Sequence, residues 1–294
     1  MKFGHVATSE LDNITLTLPE DHPDNRNILK GMPAKKGTVY VGCAKWGRDE
    51  WVGLIYPKGT KSGDYLENYV NHFNGIELNG TFYQLRKSNI ESWAKVPKEE
   101  FKYCPKFSRR ISHLKRLNDV EENTDYFFDA VSLFGDTLGL PFLQMPDNFA
   151  PKFIDRLMAY LDRLPDQPGT ALELRHTDWF NDPEVSPILY ENLEKNNITL
   201  IITDTAGRRD VIHQRLTSNK AFVRFIGYDL HETDYQRMDE WAIKIKEWLD
   251  GGLEEIYFFL HQENEKNTVV NASYMIRKIN EVCDLSIKEP VFVN

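Results

Sequence analysis

Glu77 and Asn79 stand two residues apart at the end of an apolar run and lead into Gly80-Thr81-Phe82-Tyr83, a placement that packs poorly but suits chemistry. Side chains two apart on a strand share a face, so this carboxylate and amide can address one ligand. Similar polar endings follow later apolar runs: Lys106, Gln144, Glu173-Leu174-Arg175-His176, Asp204 and Arg224. Carboxylates on separate strand ends, here Glu77, Glu173 and Asp204, can form an acid/base pair whose proton affinities diverge if one sits in an apolar wall. With His176 they are also the ligand types of a divalent metal, although no compact His-x-x-x-His spacing accompanies them. Lys106, Arg175 and Arg224 can supply a positive field, and the planar arginine fork suits a phosphate or carboxylate. The plainer reading pairs these cations with the same carboxylates. His113 and His176 are the best placed proton carriers, with His261 a third. Trp46, in a long loop from Ala44 to Lys61, and Tyr83 offer aromatic faces to a ring-shaped ligand, while Trp51 and Tyr56 pin that loop to the body.

These groups need a scaffold that brings distant strand ends together. Eight short β-branched or aromatic runs are strand candidates: 39–43, 75–79, 102–106, 138–144, 170–174, 199–203, 221–225 and 255–260. Helical periodicity predicts helices over 64–73, 89–95, 121–134, 152–164, 184–196, 236–249 and 269–282, with 204–220 irregular. Eightfold alternation is the arithmetic of an α/β TIM (β/α)₈ barrel, in which the carboxyl ends of all strands share one face. No G-x-G-x-x-G or P-loop motif follows any strand, so no nucleotide cofactor is expected. Residues 1–37, with Pro19, Pro23 and Pro33 and a strand-like Ile14–Leu18 run, read as an N-terminal arm on a single barrel domain spanning 38–294.

The 294 residues carry a net charge of −9, which argues against a global nucleic-acid-binding surface. A local exception is Lys102 to Arg116, with six cations and no acidic residue; it reads either as a solvated loop or as an anion-attracting rim. Three cysteines, Cys43, Cys104 and Cys283, without a Cys-x-x-Cys pair indicate neither a disulfide framework nor a thiolate zinc site. No apolar leader opens the chain and no apolar run reaches the ~18 residues of a membrane span, so a cytoplasmic protein is expected.

Seven ordered motifs carry a family resemblance: Gly42 through Trp46, Trp51-x-Gly53-x-x-Tyr56-Pro57, Glu77 through Tyr83, Phe101 through His113, Leu143 through Pro146, Glu173 through His176 and Val223 through Gly227. Together they resemble the YecE-like family, a domain of unknown function, over about Val39 to Ala272. The resemblance implies a TIM barrel and brings no reaction with it. The chain departs from the family pattern at Gly80, at Ser112 and at Leu260-His261-Gln262, where paired asparagines are usual.

The favoured expectation is an enzyme, a hydrolase or isomerase, using acid/base chemistry on a small anionic substrate at the carboxyl face. Glu77, Glu173, His113, His176 and Asp204 are its candidate catalytic residues. Trp46, Asn79, Tyr83, Lys106, Gln144, Arg175 and Arg224 are its candidate binding residues. Two alternatives stand beside it: a nucleic-acid-directed protein using residues 102–116 with aromatic stacking, and a catalytically inactive ligand-binding barrel.

Overall fold

The computed structural model describes residues 4–31, 36–97 and 100–293. Among the described residues eight strands alternate with helices: β1 (Thr38–Cys43), β2 (Gly75–Leu78), β3 (Lys102–Pro105), β4 (Phe142–Gln144), β5 (Ala171–Glu173), β6 (Thr199–Asp204), β7 (Lys220–Ile226) and β8 (Glu255–His261). Among the described residues the α-helices are α1 (Tyr65–Tyr69), α2 (Gly80–Tyr83), α3 (Lys87–Ala94), α4 (Glu121–Val131), α5 (Ile154–Leu161), α6 (Asp178–Asn181), α7 (Ser186–Lys195), α8 (Glu232–Asp250) and α9 (Thr268–Cys283). None of the described helices is long and apolar enough to cross a membrane.

Every ladder is parallel, giving a mixed α/β fold. Six strands run in the order β1-β8-β7-β6-β5-β4, and β2 and β3 form a separate pair. Side-chain alternation divides the apolar residues into two clusters. Tyr40, Cys104, Phe142, Ala171, Ile201, Phe222, Tyr257 and Phe259 share one face with Leu140. Their neighbours, including Val41, Tyr103, Leu143, Leu172, Ile202, Val223 and Phe258, join the larger cluster with the helices. Parallel strands covered on both faces must read as almost continuous apolar runs, as these do.

At two places the ladders are interrupted. Between β1 and β2, side chains replace the backbone bonds. Asn74 accepts from Val41 N–H at 2.8 Å and donates to Val39 C=O at 2.9 Å. The Tyr69 hydroxyl accepts from Cys43 N–H at 2.8 Å and donates to Gly75 C=O at 3.0 Å. Gly42 is required here, because a Cβ on it would lie 1.9 Å from the Gly75 carbonyl oxygen. Between β3 and β4, Gly139 N–H reaches Tyr103 C=O at 2.8 Å and Phe107 N–H reaches Phe142 C=O at 2.9 Å.

The elements differ from expectation mainly at their ends. The fourth strand begins at Phe142 instead of Leu138, since Pro141 has no N–H to give to a ladder. Helix α8 starts four residues before the expected Gln236, where the His231 side chain accepts from Thr233 N–H and Glu232 and Asp234 favour the helix dipole. The 204–220 connection is irregular apart from a short 3₁₀ turn at Ala206–Arg208.

The strand-like Ile14–Leu18 run of the arm joins no ladder among the described residues. Its polar backbone groups are satisfied by side chains instead: Arg209 donates to the carbonyls of Leu16 and Thr17 at 3.0 Å, and Glu240 accepts from Leu18 N–H at 2.8 Å. Residues 1–3 and 32–35 of the expected arm, Pro33 among them, and Asn294 lie outside the described residues. The remainder of the arm is fastened along the body. The Gly4 carbonyl accepts from Thr205 Oγ, Gly207 N–H and the Tyr228 hydroxyl.

Candidate functional site

The polar layer follows from the strand period. Two residues beyond members of the smaller apolar cluster come Lys106 after Cys104, Gln144 after Phe142, Glu173 after Ala171, Thr203 after Ile201, Arg224 after Phe222 and His261 after Phe259. Each therefore points to the same side as its apolar predecessor, one step closer to the carboxyl ends.

Arg224 lies at the centre, fully buried. Its Nε and Nη2 donate to the two oxygens of Glu77 at 2.9 Å each, and Nη1 donates to Glu173 Oε2 at 2.7 Å. Glu173 also accepts from Arg175 Nε at 2.7 Å, Thr203 Oγ at 3.1 Å and Gln144 Nε2 at 2.6 Å. Gln144 accepts in turn from Lys106 Nζ at 2.6 Å. Asn79, just beyond the end of β2, donates to Glu77 Oε1 at 2.8 Å.

Burial by itself would push both carboxyls upward. Arg224 and His261 outweigh it at Glu77 and hold that group well below the usual carboxylate range. At Glu173, Arg175 and Arg224 do the same and bring it to about 2. Both are therefore ionised at neutral pH. His261 Nε2 lies 2.9 Å from Glu77 Oε2 and 3.4 Å from Arg224 Nη2, and an ionised Glu77 can only accept from it.

Above this layer opens a cleft of about 490 Å³. Its lining includes Asn79, Lys106, His113, Gln144, Arg175 and His261 on the inner side and His5, Lys45, Tyr83, Tyr228, Glu263 and Glu265 nearer the mouth. Phe82 supplies an apolar wall, with the Lys106 ammonium 4.5 Å from its ring centroid and the His113 ring edge-on at 5.0 Å. Burial, with Arg224 as the next cause, lowers Lys106 to about 7. Burial followed by the charges of Lys106 and Arg175 lowers His113 to about 4, so it is neutral at pH 7 and bonds Ser112 Oγ through Nδ1 at 2.9 Å.

Several expected site residues take other places. Glu77, Glu173 and Arg224 are brought together as expected, yet none of them lines the cleft; they form the layer beneath its floor, with Arg224 committed to two carboxylates. Asp204 is out of phase. Its neighbour Thr203 points at Glu173, so Asp204 turns to α8, where it accepts from Arg237 at 3.1 Å and Trp241 Nε1 at 2.8 Å and pairs with Arg209. His176 is partly exposed and accepts from Asp178 N–H at 3.3 Å at the start of α6. Trp46 packs edge-on against Trp93 at 5.1 Å outside the cleft. Tyr83 remains on the rim, largely exposed.

The four suggested metal ligands therefore do not converge: Arg224 lies between Glu77 and Glu173, while His176 and Asp204 point elsewhere. Among the described residues no group of three or more His, Cys, Asp or Glu is arranged to hold a metal ion. The basic 102–116 segment also divides. Lys102 sits at the opposite end of β3 from Lys106 and donates to Asp136 C=O, Lys106 is buried in the cleft, and Arg116 holds Asn148. Arg109 and Arg110 are exposed. Thr203, Phe82, Tyr228 and His5 are among the additions that sequence reasoning missed, as are Lys45, Glu263 and Glu265. Strand parity from Ile201 would have found Thr203, whereas His5 comes from the arm and had no local signal.

A parallel α/β scaffold with a braced ionic layer under a cleft at its strand carboxyl ends is the class of protein this defines. The chain belongs to the family described as protein of unknown function DUF72, whose model matches residues 40–290. It is 29% identical over 242 residues to the UPF0759 protein YecE of Escherichia coli K12, covering 76% of this chain and 86% of that one. It is 30% identical over 155 residues to the UPF0759 protein YunF of Bacillus subtilis 168, covering 49% and 53%. A crystal structure of a DUF72 family protein from Enterococcus faecalis V583 shares the fold with a TM-score of 0.64 at 16% identity, over 87% of this chain and 98% of that one.

Proposed function

We propose that the two ladders are parts of one (β/α)₈ barrel and that the protein is an enzyme acting on a small carboxylate- or phosphate-bearing substrate in the cleft at its carboxyl face. The isolated bonds across both interruptions, and the apolar face that all strands but β2 share, support the ring. The observation that carries the function is the composition of the ionic layer: Lys106, Arg175 and Arg224 against Glu77 and Glu173, with both carboxylates on its buried side. Lys106 and Arg175 face the cleft, with Glu173 beneath them; Arg175 also reaches Asp147 at 3.5 Å, and Glu263 and Glu265 stand nearer the mouth. Arg175 receives the anionic group, and Lys106 adds charge when protonated.

Proton transfer in this reading belongs to His261. Glu77 holds the imidazole by Nε2–H and leaves Nδ1 to act as base, the positioning that a buried carboxylate gives a catalytic histidine. Glu77 and Glu173, expected from sequence as direct acid/base groups, become positioning residues, and so does Arg224. His113 serves as a neutral hydrogen-bonding wall.

Sulfate, which does not titrate near neutrality, tests the anion site by calorimetry. Binding is expected at pH 7 and should weaken between pH 7 and 9 as Lys106 loses its proton. Lys106→Met should remove that pH dependence, and Arg175→Met should reduce affinity by roughly tenfold or more, as expected for loss of a charged hydrogen bond. Absence of sulfate binding to the unaltered protein would defeat the reading. Salt-sensitive binding of single-stranded DNA, lost on neutralising Arg109 and Arg110, would favour a nucleic-acid role instead.

A further inference from the structure

Lys106 is treated unusually for a buried amine. It lies in the cleft wall, almost wholly buried, and none of the described carboxylates forms an ion pair with it. The nearby carboxylates are already committed: Glu77 to Arg224 and His261, Glu173 to Arg224 and Arg175. Burying a lysine in this way is a poor route to stability, because the charged form keeps its desolvation cost without a counter-ion.

The partner that Lys106 does have is a neutral amide, and its orientation is fixed. Gln144 gives its NH₂ to Glu173 at 2.6 Å, so its carbonyl must face Lys106 and accept one N–H at 2.6 Å. An amine bonded through one hydrogen to a fixed acceptor keeps its lone pair in another tetrahedral direction. The Phe82 ring, 4.5 Å away, bounds the space beside it. Arg175, which lines the same cleft, can hold an anionic group while the amine meets a second group of the same molecule.

We propose that Lys106 is a nucleophile that forms an imine with a small carbonyl compound bearing a carboxylate or phosphate. This rests on the anion-site reading above and names its substrate class. The Nζ lone pair attacks the carbonyl carbon, the C=O π pair moves to oxygen, and that oxygen gains the proton that nitrogen loses. The carbinolamine then takes one further proton on its hydroxyl and expels water, leaving an iminium that retains one N–H. Overall the amine, the carbonyl compound and one proton give the iminium and one water, with no redox change. His261, in the same lining, is assigned as the donor of that proton in this proposal.

The electrostatic surroundings agree with an amine that is uncharged for part of the time. Lys106 is faced by Arg224 from β7, Arg175 beyond β5, Glu173 from β5 and Glu77 from β2, and burial with the arginines outweighs the carboxylates. A neutral amine is the reactive form, and lysines in such surroundings are suited to imine chemistry.

The test is reductive trapping. The full chain is incubated with pyruvate or dihydroxyacetone phosphate and sodium cyanoborohydride at pH 7, and adducts are mapped by peptide mass spectrometry. Lys45, which lines the same cleft and is much more exposed, serves as the internal reference. Lys106 is expected to trap at least about tenfold faster than Lys45 with one of the probes, because part of it is unprotonated at pH 7 and Arg175 orients the substrate beside it. Excess sulfate should slow that trapping. Trapping of Lys106 no faster than Lys45 with both probes overturns the proposal. If sulfate still binds in that case, the imine inference alone falls; if it does not, the anion site falls too. Neither result depends on a variant that folds.

Discussion

At the scale of single residues, Arg224 has the most consequence. Three of its nitrogens donate to two carboxylates that are as buried as it is, so each ion is tolerable only because of the others. Replacing Arg224 with methionine should cost about 3–5 kcal/mol in urea denaturation, as two carboxylates lose their shared cation. Adding Glu77→Gln to that variant should recover part of the loss, since one stranded charge is then removed. A wild-type-like midpoint for Arg224→Met would show that the layer contributes little. These residues were legible because a carboxylate or guanidinium at the end of an apolar run is conspicuous. Their division of labour was not, because one strand position decides whether a side chain faces the cleft or a helix. Asp204 shows this: its type and place matched Glu173, yet Thr203 occupies the inward phase and sends Asp204 to Arg237 and Trp241.

At the scale of elements, the strands and most helices were legible because each buries apolar residues at its own period, as α8 does with Met238, Trp241, Ala242, Ile245 and Trp248. What remained hidden was how β1 meets β2. Nothing local in Asn74 or Tyr69 announces that their side chains take the place of ladder bonds, since their partners are 33 to 35 and 26 residues away for Val41, Val39 and Cys43. The Tyr69 hydroxyl serves a buried N–H and a buried C=O at once. Tyr69→Phe should therefore destabilise by about 1–3 kcal/mol, the usual cost of leaving buried polar groups unpaired. Hydrogen exchange at the Cys43 amide should accelerate more than at amides in β7, and equal effects on both strands would count against this account of the seam.

At the scale of the whole molecule, stability should fall in two stages on acidification. His213 is buried, bonds the Ile201 carbonyl through Nε2, accepts Arg215 N–H at Nδ1, and is lowered by burial to about 4. Below pH 6.5 the unfolded chain takes up a proton that the folded chain refuses, so this contribution is complete above 6.5 and is lost as pH falls toward 4. Glu173 acts later, its contribution present above 4.5 and lost toward 2. Thermal midpoints between pH 7 and 4 should decline, and His213→Gln should flatten that decline by on the order of 3 kcal/mol in the unfolding free energy. An unchanged slope in the variant would assign the decline to other groups. The N-terminal arm also acts at this scale, because its Gly4 carbonyl is gripped by Thr205, Gly207 and Tyr228, and His5 stands at the cleft mouth. Gly4, from which any N-terminal fusion continues, is therefore held close to that mouth. An affinity tag placed there, particularly a run of histidines or acidic residues, becomes a tethered competitor for the very ligands a purified sample would be used to find.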